Sequence, residues 1–67
     1  MKWKKIRGYN LWIKGIKGIK VDYAPRGNAH TPYIFTVMRK GMIVTHIYFK
    51  TNTEALAYAR KYMRDRS

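Results

Sequence analysis

The hydrophobic and polar positions near the end of the chain repeat with the period of an α-helix. One face collects the small and apolar side chains Ala55, Leu56, Ala59, Tyr62 and Met63, with Tyr58 at its edge. The opposite face carries the cations Arg60, Lys61 and Arg64. Thr51, followed three residues later by Glu54, has the spacing of a capping box, which satisfies backbone N–H groups at a helix start. The pattern therefore predicts a helix from about Asn52 to Asp65.

Two β-rich runs precede this helix and flank Lys40-Gly41. A two-residue loop of this kind, in which glycine supplies a positive φ, is typical of a β-hairpin. The loop predicts these cross-strand pairs: Arg39 with Met42, Val37 with Val44, Phe35 with His46, and Tyr33 with Tyr48. Because side chains alternate between the two faces of a strand, each pair shares one face.

The two faces of this predicted hairpin differ in composition. One carries Tyr33, Phe35, Val37, Arg39, Met42, Val44, His46 and Tyr48, and the other carries Ile34, Thr36, Met38, Ile43, Thr45, Ile47 and Phe49. The second set is aliphatic and ends beside the helix, so we expect it to face the core. A one-residue bulge would exchange the faces. The aromatic face is then either a binding platform or a second small core that the N-terminal segment covers.

The stretch IKGIKGIK, residues 13–20, repeats every three residues, which is the period of neither a helix nor a strand. Residues 19–23 alternate cleanly, so the repeat leads into a strand that ends near Tyr23. A bulge at Gly15 or Gly18 would bring the isoleucines into phase and would bend the strand. The exposed companions of this bent strand would be Lys14, Lys17 and Lys20.

The remaining segments complete a small α+β domain. Residues 21–32, VDYAPRGNAHTP, run from the end of that strand into a loop whose turn is Pro25-Arg26-Gly27-Asn28. Residues 1–12 form either one more short strand or an arm around Trp3 and Trp12. The sequence thus predicts a single domain over residues 1–67, with an antiparallel sheet of three to four strands packed on one C-terminal helix.

Charge narrows the class of partner. Fifteen Lys and Arg against three Asp and Glu give a net charge of +12, whereas soluble small domains usually carry about 2–8. Self-repulsion on this scale destabilises the compact state, so a polyanionic partner is expected. The alternative is that surplus lysine only keeps a small protein soluble.

Composition also limits the chemistry and the location. The chain has no cysteine, which excludes disulfides and thiolate metal sites. No apolar run approaches the roughly 20 residues of a membrane span, so we expect a cytoplasmic protein with no membrane partner, or one in the host cytoplasm if phage-encoded. Glu54 belongs to the helix cap, and no carboxylate pair for acid–base catalysis is visible. His30 and His46 could be ligands or bases, but with three acidic residues and no cysteine in the chain a metal site is not expected. We therefore expect no enzyme activity, no metal and no cofactor.

The order of strand, Lys-Gly turn, strand and helix resembles the N-terminal arm-binding domain of phage and transposon integrases. More distantly, it is similar to the plant ethylene-response-factor type of DNA-binding domain. The matching positions, all between Tyr33 and the end of the chain, are Phe49, Thr51, Glu54, Ala55, Ala57 and Tyr58. In those families a three-stranded sheet packs on one helix and lays its outer face in the DNA major groove. The resemblance implies DNA binding, with Arg39 the one candidate for a bidentate guanine contact.

The sequence therefore predicts a non-enzymatic nucleic-acid-binding protein, with duplex DNA favoured over single-stranded DNA or RNA. The expected contact residues are Lys14, Lys17, Lys20, Tyr33, Phe35, Arg39, Lys40, His46 and Tyr48. One alternative is a small phage-type inhibitor that binds an acidic host protein through an aromatic, basic sheet face. A second is a small basic ribonuclease toxin that uses His46.

Overall fold

The structure of this protein is a computed structural model that describes residues 2–26 and 29–66. Those residues form five strands and one helix. The elements are β1 (Lys4–Lys5), β2 (Leu11–Lys14), β3 (Lys17–Tyr23), β4 (Tyr33–Arg39), β5 (Met42–Phe49) and α1 (Asn52–Asp65). The strands form one antiparallel sheet in the order β1-β2-β3-β4-β5. The protein is thus an α+β fold with one C-terminal helix, as predicted, and the sheet is a little larger than the expected three to four strands.

Helix α1 begins and packs as the sequence pattern indicates. Thr51 is extended (φ −129°, ψ 155°), and its Oγ1 accepts a hydrogen bond from the Glu54 backbone N–H at 3.2 Å. Ala55 and Ala59 are fully buried against the sheet, where their small side chains let the helix approach the strands closely. Leu56, Tyr62 and Met63 pack around this contact. The predicted helix and its apolar face are confirmed.

The Lys40-Gly41 loop joins β4 to β5 with a positive φ at both residues, 54° and 78°. This is the type I′ geometry whose twist matches a β-hairpin, and Arg39 lies opposite Met42 as predicted. Beyond that pair, however, Met38 lies opposite Ile43 and Val37 lies opposite Thr45. Val44 is therefore the extra residue of a β-bulge.

The bulge makes three of the predicted pairs wrong. The observed pairs are Val37 with Thr45, Phe35 with Ile47, and Tyr33 with Phe49. Consequently Tyr33, Phe35 and Val37 face the helix, and the other β4 set (Ile34, Thr36 and Met38) lies on the face away from it. Phe35 is 0% exposed and forms the core with Ile19, Val21, Val37, Ala55 and Ala59. The face exchange that one bulge can cause has taken place on β4.

The Ile-Lys-Gly repeat is a hairpin, and the predicted bent strand is wrong. Lys14 lies opposite Lys17, so Gly15-Ile16 is the two-residue loop between β2 and β3. Gly15 has a φ of 63°, the left-handed value that a type II′ turn requires at its first loop residue. The turn, rather than a bulge, resolves the phase conflict between the isoleucines.

The N-terminal segment extends the sheet edge, which is the first of the two predicted alternatives. β1 pairs with β2, and Trp3 and Trp12 pack against the core on the helix side. The Trp3 ring centroid lies 6.3 Å from that of Tyr62 on the helix. At the far end of β3, the loop closes with a 2.6 Å hydrogen bond from the Ala24 N–H to the Pro32 carbonyl. Gly27 and Asn28 of the predicted turn lie outside the described residues.

Candidate nucleic-acid interface

The sheet surface opposite α1, which we call the outer face, has no element packed on it among the described residues. The cross-strand register arranges its side chains in rows. The central row consists of Leu11, Lys20, Thr36 and His46, of which Thr36 is buried. The next row consists of Asp22, Ile34 and Tyr48. The row at the other end, beside the two hairpin loops, consists of Lys4, Ile13, Gly18, Met38 and Ile43. The outer face thus offers Lys20 and His46 near its centre to a partner.

Three of the predicted contact residues, Lys20, His46 and Tyr48, lie on this outer face. Lys20 Nζ forms an ion pair with Asp22 Oδ2 at 3.2 Å, with both side chains roughly half exposed at 40% and 49%. Exposed pairs of this kind are weak, about 0–1 kcal/mol, so a phosphate can compete for the ammonium group. The His46 and Tyr48 rings meet edge to face with centroids 5.5 Å apart, and Tyr48 is 42% exposed.

Two aromatic residues of the predicted contact set lie on the helix side of the sheet, not on the outer face. Phe35 packs its ring 5.0 Å from Tyr58 and 5.5 Å from Tyr62, and with no exposed surface it cannot touch a ligand. Tyr33 also faces the helix side, where its ring lies 5.1 Å from Tyr23. The predicted platform of four rings on one face is therefore wrong, and only its His46 and Tyr48 half lies on the outer face.

Lys14 has a structural contact that its position in the repeat did not suggest. Its Nζ donates a hydrogen bond to the carbonyl of Arg66 at 2.8 Å and lies 5.9 Å from the centre of the Trp3 ring. A cation at this place satisfies a carbonyl at the end of α1 and complements the helix dipole. Lys14 therefore ties β2 to the C-terminal end of the helix.

The remaining predicted cations meet at the loop end of the sheet. Lys17 lies directly opposite Arg39 on the neighbouring strand. Both residues follow the alternation of the core residues Ile19 and Val37, so they leave the backbone on the helix side of the sheet, at its loop end. Lys40 occupies the next loop. The Lys40 N–H donates to the Ile16 carbonyl at 2.9 Å, which fixes the two hairpin loops side by side. All three side chains are exposed. We call Lys17, Arg39 and Lys40 the cationic tip. Like charges placed directly opposite each other are destabilising, and a bound anion relieves that cost.

The loop end of the sheet also has an apolar feature that the sequence did not predict. A shallow apolar trough on the outer face is lined by Leu11, Ile13, Ile16, Gly18 and Met38, with Gly15, Lys17 and Gly41 at its margin. Beside it Met42, Ile43 and Val44 are 73%, 65% and 63% exposed. The signal was the Ile-Lys-Gly repeat itself, because a hairpin at Gly15 places Ile13 across from Gly18 on the same face.

Comparison of the chain with protein-family models, curated proteins and solved structures finds no match. Within residues 2–26 and 29–66, no three His, Cys, Asp or Glu side chains gather into a group that could hold a metal ion. Over the same ranges, no helix has the length and apolar character needed to cross a membrane.

Proposed function

We propose that this protein is a non-enzymatic nucleic-acid-binding protein that docks through the outer face of its sheet and the cationic tip. The observation that carries the proposal is the facing pair of Lys17 and Arg39, with Lys40 in the adjacent loop. In a chain of net charge +12, this arrangement concentrates like charge where backbone and side chains are open to solvent. Phosphates are bound by such clusters of cations.

The register of the strands determines which residues would contact the nucleic acid. Lys4 and Lys20 on the outer face would hold phosphates, and the long side chains of the cationic tip would reach around the loop end of the sheet to hold others. His46 and Tyr48 would then lie against the bases or the sugar edge. Strands β3, β4 and β5, which carry Lys20, His46 and Tyr48, span about 10 Å between their outer backbones, given a strand spacing of about 4.8 Å. Lys4 lies two strands further out, on β1, and would contact the backbone at the edge of the groove. This width fits a B-DNA major groove of about 12 Å, so duplex DNA is the favoured partner. We propose the cytoplasm, or the host cytoplasm for a phage-encoded chain, as the location of the protein.

The test compares one 20-base-pair duplex with its single strand and with the matching RNA strand, over a series of salt concentrations. With five phosphates neutralised, log K against log salt should fall with a slope of about −4 to −5 on the duplex. Tighter binding to the single strand would indicate that Tyr48 stacks on unpaired bases and that the sheet does not dock in the major groove. A flat salt response, or no binding at low salt, would contradict the proposal.

A further inference from the structure

The apolar trough is bounded by strands on both sides of Gly18. Ile13 on β2 and Met38 on β4 each lie opposite Gly18 on β3, so the walls stand about 10 Å apart at two strand spacings. Gly18 is itself buried and forms the floor, while Ile13 and Ile16 on the rim are 39% and 52% exposed. The trough is therefore a recess with room for one large side chain.

Nothing in the fold requires a glycine at the floor of this recess. Among the described glycines with a positive φ are Gly8, Gly15 and Gly41, and Gly18 is not one of them. A Cβ built at Gly18 would meet only the Met38 Cε at 3.5 Å and the Trp12 carbonyl at 3.8 Å, which are ordinary contact distances. Glycine inside a strand weakens it and often marks a close approach by another group. The floor of the trough is therefore the bare backbone of Gly18 with the Met38 methyl group beside it, and a larger side chain at this position would project into the trough.

The charges around the recess limit what can fill it. The cationic tip and Lys4 lie at this end of the sheet, whereas Asp22 lies at the opposite end of β3 and Glu54 at the start of α1. The third acidic residue, Asp65, lies at the C-terminal end of α1, on the other side of the sheet from the trough. A second copy of the chain would bring another +12 against the same charge. A nucleobase would leave its polar edges without partners against aliphatic walls. A lipid surface would contact only the rim residues and would leave the recessed floor empty.

We propose that the trough binds one apolar side chain of an acidic protein segment, whose carboxylates meet Lys17, Arg39 and Lys40. The inference concerns a partner other than nucleic acid. It shares the cationic tip with the proposed function and adds the apolar trough, which the proposed function does not use. Apolar anchors that enter a pocket inside a polar rim carry much of the affinity of such contacts. Opposite charge on the partner would steer it to this end of the sheet.

Two synthetic ten-residue peptides test the proposal: one of Glu and Ser with a single central Phe, and its twin with Ser in place of Phe. Binding is measured by fluorescence anisotropy at low salt. The wild-type protein should prefer the Phe peptide by about tenfold, because a buried ring removes apolar surface from water. Gly18→Val fills the floor without changing charge or requiring a positive φ, so this variant should lose the preference. Thr45→Val, which also creates a valine in a strand but on the helix side of β5, by exchanging a hydroxyl for a methyl group, should keep it.

Equal affinity of the wild-type protein for the two peptides would overturn the proposal, since charge alone would then explain binding. A preference that persists in Gly18→Val would overturn it as well, because the ring would then lie elsewhere. A urea unfolding curve confirms that both variants are folded. Neither peptide contains a phosphate, so a failure to bind DNA leaves this test and its outcome unaffected.

Discussion

Phe35 lies opposite Ile47 across the β4–β5 pair, and both side chains face the helix. This pairing places the Phe35 ring between the strands and α1, with the Tyr58 ring 5.0 Å away. On the outer side of the same two strands, Tyr48 is 42% exposed. One hairpin thus divides its aromatic residues between a core and an open surface, and stability and binding should respond separately to changes on the two sides.

Substitutions at Phe35 and Tyr48 test that division. Phe35→Ala should lower the free energy of unfolding by about 3–5 kcal/mol, the usual cost of removing a buried ring, which is most of the stability of a domain this small. Phe35→Leu should cost less and keep the protein folded. Tyr48→Ala should change stability little and should weaken nucleic-acid binding. Urea unfolding and a binding titration measure the two effects. Similar losses of stability at both positions would contradict the face assignment.

The helix cap gives a second prediction. Thr51→Ala removes the oxygen that accepts the Glu54 N–H at 3.2 Å, so the free energy of unfolding should fall by about 1 kcal/mol. Thr53→Ala is the matched control: it makes the same change two residues later, inside the helix, where alanine is the better helix former. It should be neutral or slightly stabilising. An unchanged melting temperature for Thr51→Ala would show that the cap contributes nothing.

Gly15 gives a third prediction, because its φ of 63° suits a D-amino acid. The 67-residue chain is within reach of chemical synthesis, so D-Ala and L-Ala can both be placed there. L-Ala should destabilise the fold by about 1–3 kcal/mol, since this conformation is strained for an L-residue. D-Ala should stabilise it by about 0.4–1 kcal/mol by restricting the unfolded chain. If the two forms unfold at the same urea concentration, residues 15–16 are not this turn.

Lys14 and Lys17 lie opposite each other but should behave differently when replaced by glutamine. Lys14→Gln removes the hydrogen bond to the Arg66 carbonyl at 2.8 Å and should lower the free energy of unfolding by about 0.5–1.5 kcal/mol. Its effect on the salt slope of DNA binding should be close to zero. Lys17→Gln should leave stability nearly unchanged and should reduce the slope by about one unit. The reverse pattern would assign the phosphate contact to Lys14.

Local signals predicted the C-terminal half of the fold well. The Thr51 cap, the small residues Ala55 and Ala59, and the Lys40-Gly41 turn each act within a few residues along the chain. Such short-range signals can be recognised directly from the sequence. The bulge at Val44 has no comparable signal. In YIFTVMR, residues 33–39, both alternating sets are largely apolar, so hydrophobicity alone cannot decide which set faces the helix. Packing of the Phe35 ring against Tyr58 and Tyr62 decides it.

The candidate site was harder to predict because it depends on which strands are neighbours. The cations of the repeat were assigned to one exposed row on a single strand. The turn at Gly15 instead places Lys14 and Lys17 on neighbouring strands, where Lys14 contacts the C-terminal end of α1. Lys20 falls on the opposite face beside Asp22. A repeat of three residues is compatible with either a bulge or a turn, and the pairing of β2 with β3 is a long-range property that the repeat does not specify.

The most direct test of the proposed function compares two triple variants that remove equal charge. Replacing Lys17, Arg39 and Lys40 by Gln neutralises the cationic tip, and replacing Lys50, Arg60 and Lys61 by Gln neutralises two lysines and one arginine elsewhere on the exposed surface. The slope of log K against log salt is then measured on the same DNA duplex. The tip variant should lose about three units of slope, because counterions are released at direct phosphate contacts, and the control should lose close to none. Equal slopes in the two variants would contradict a docked tip and leave only diffuse attraction, and a larger loss in the control would place the DNA on the solvent-facing side of α1.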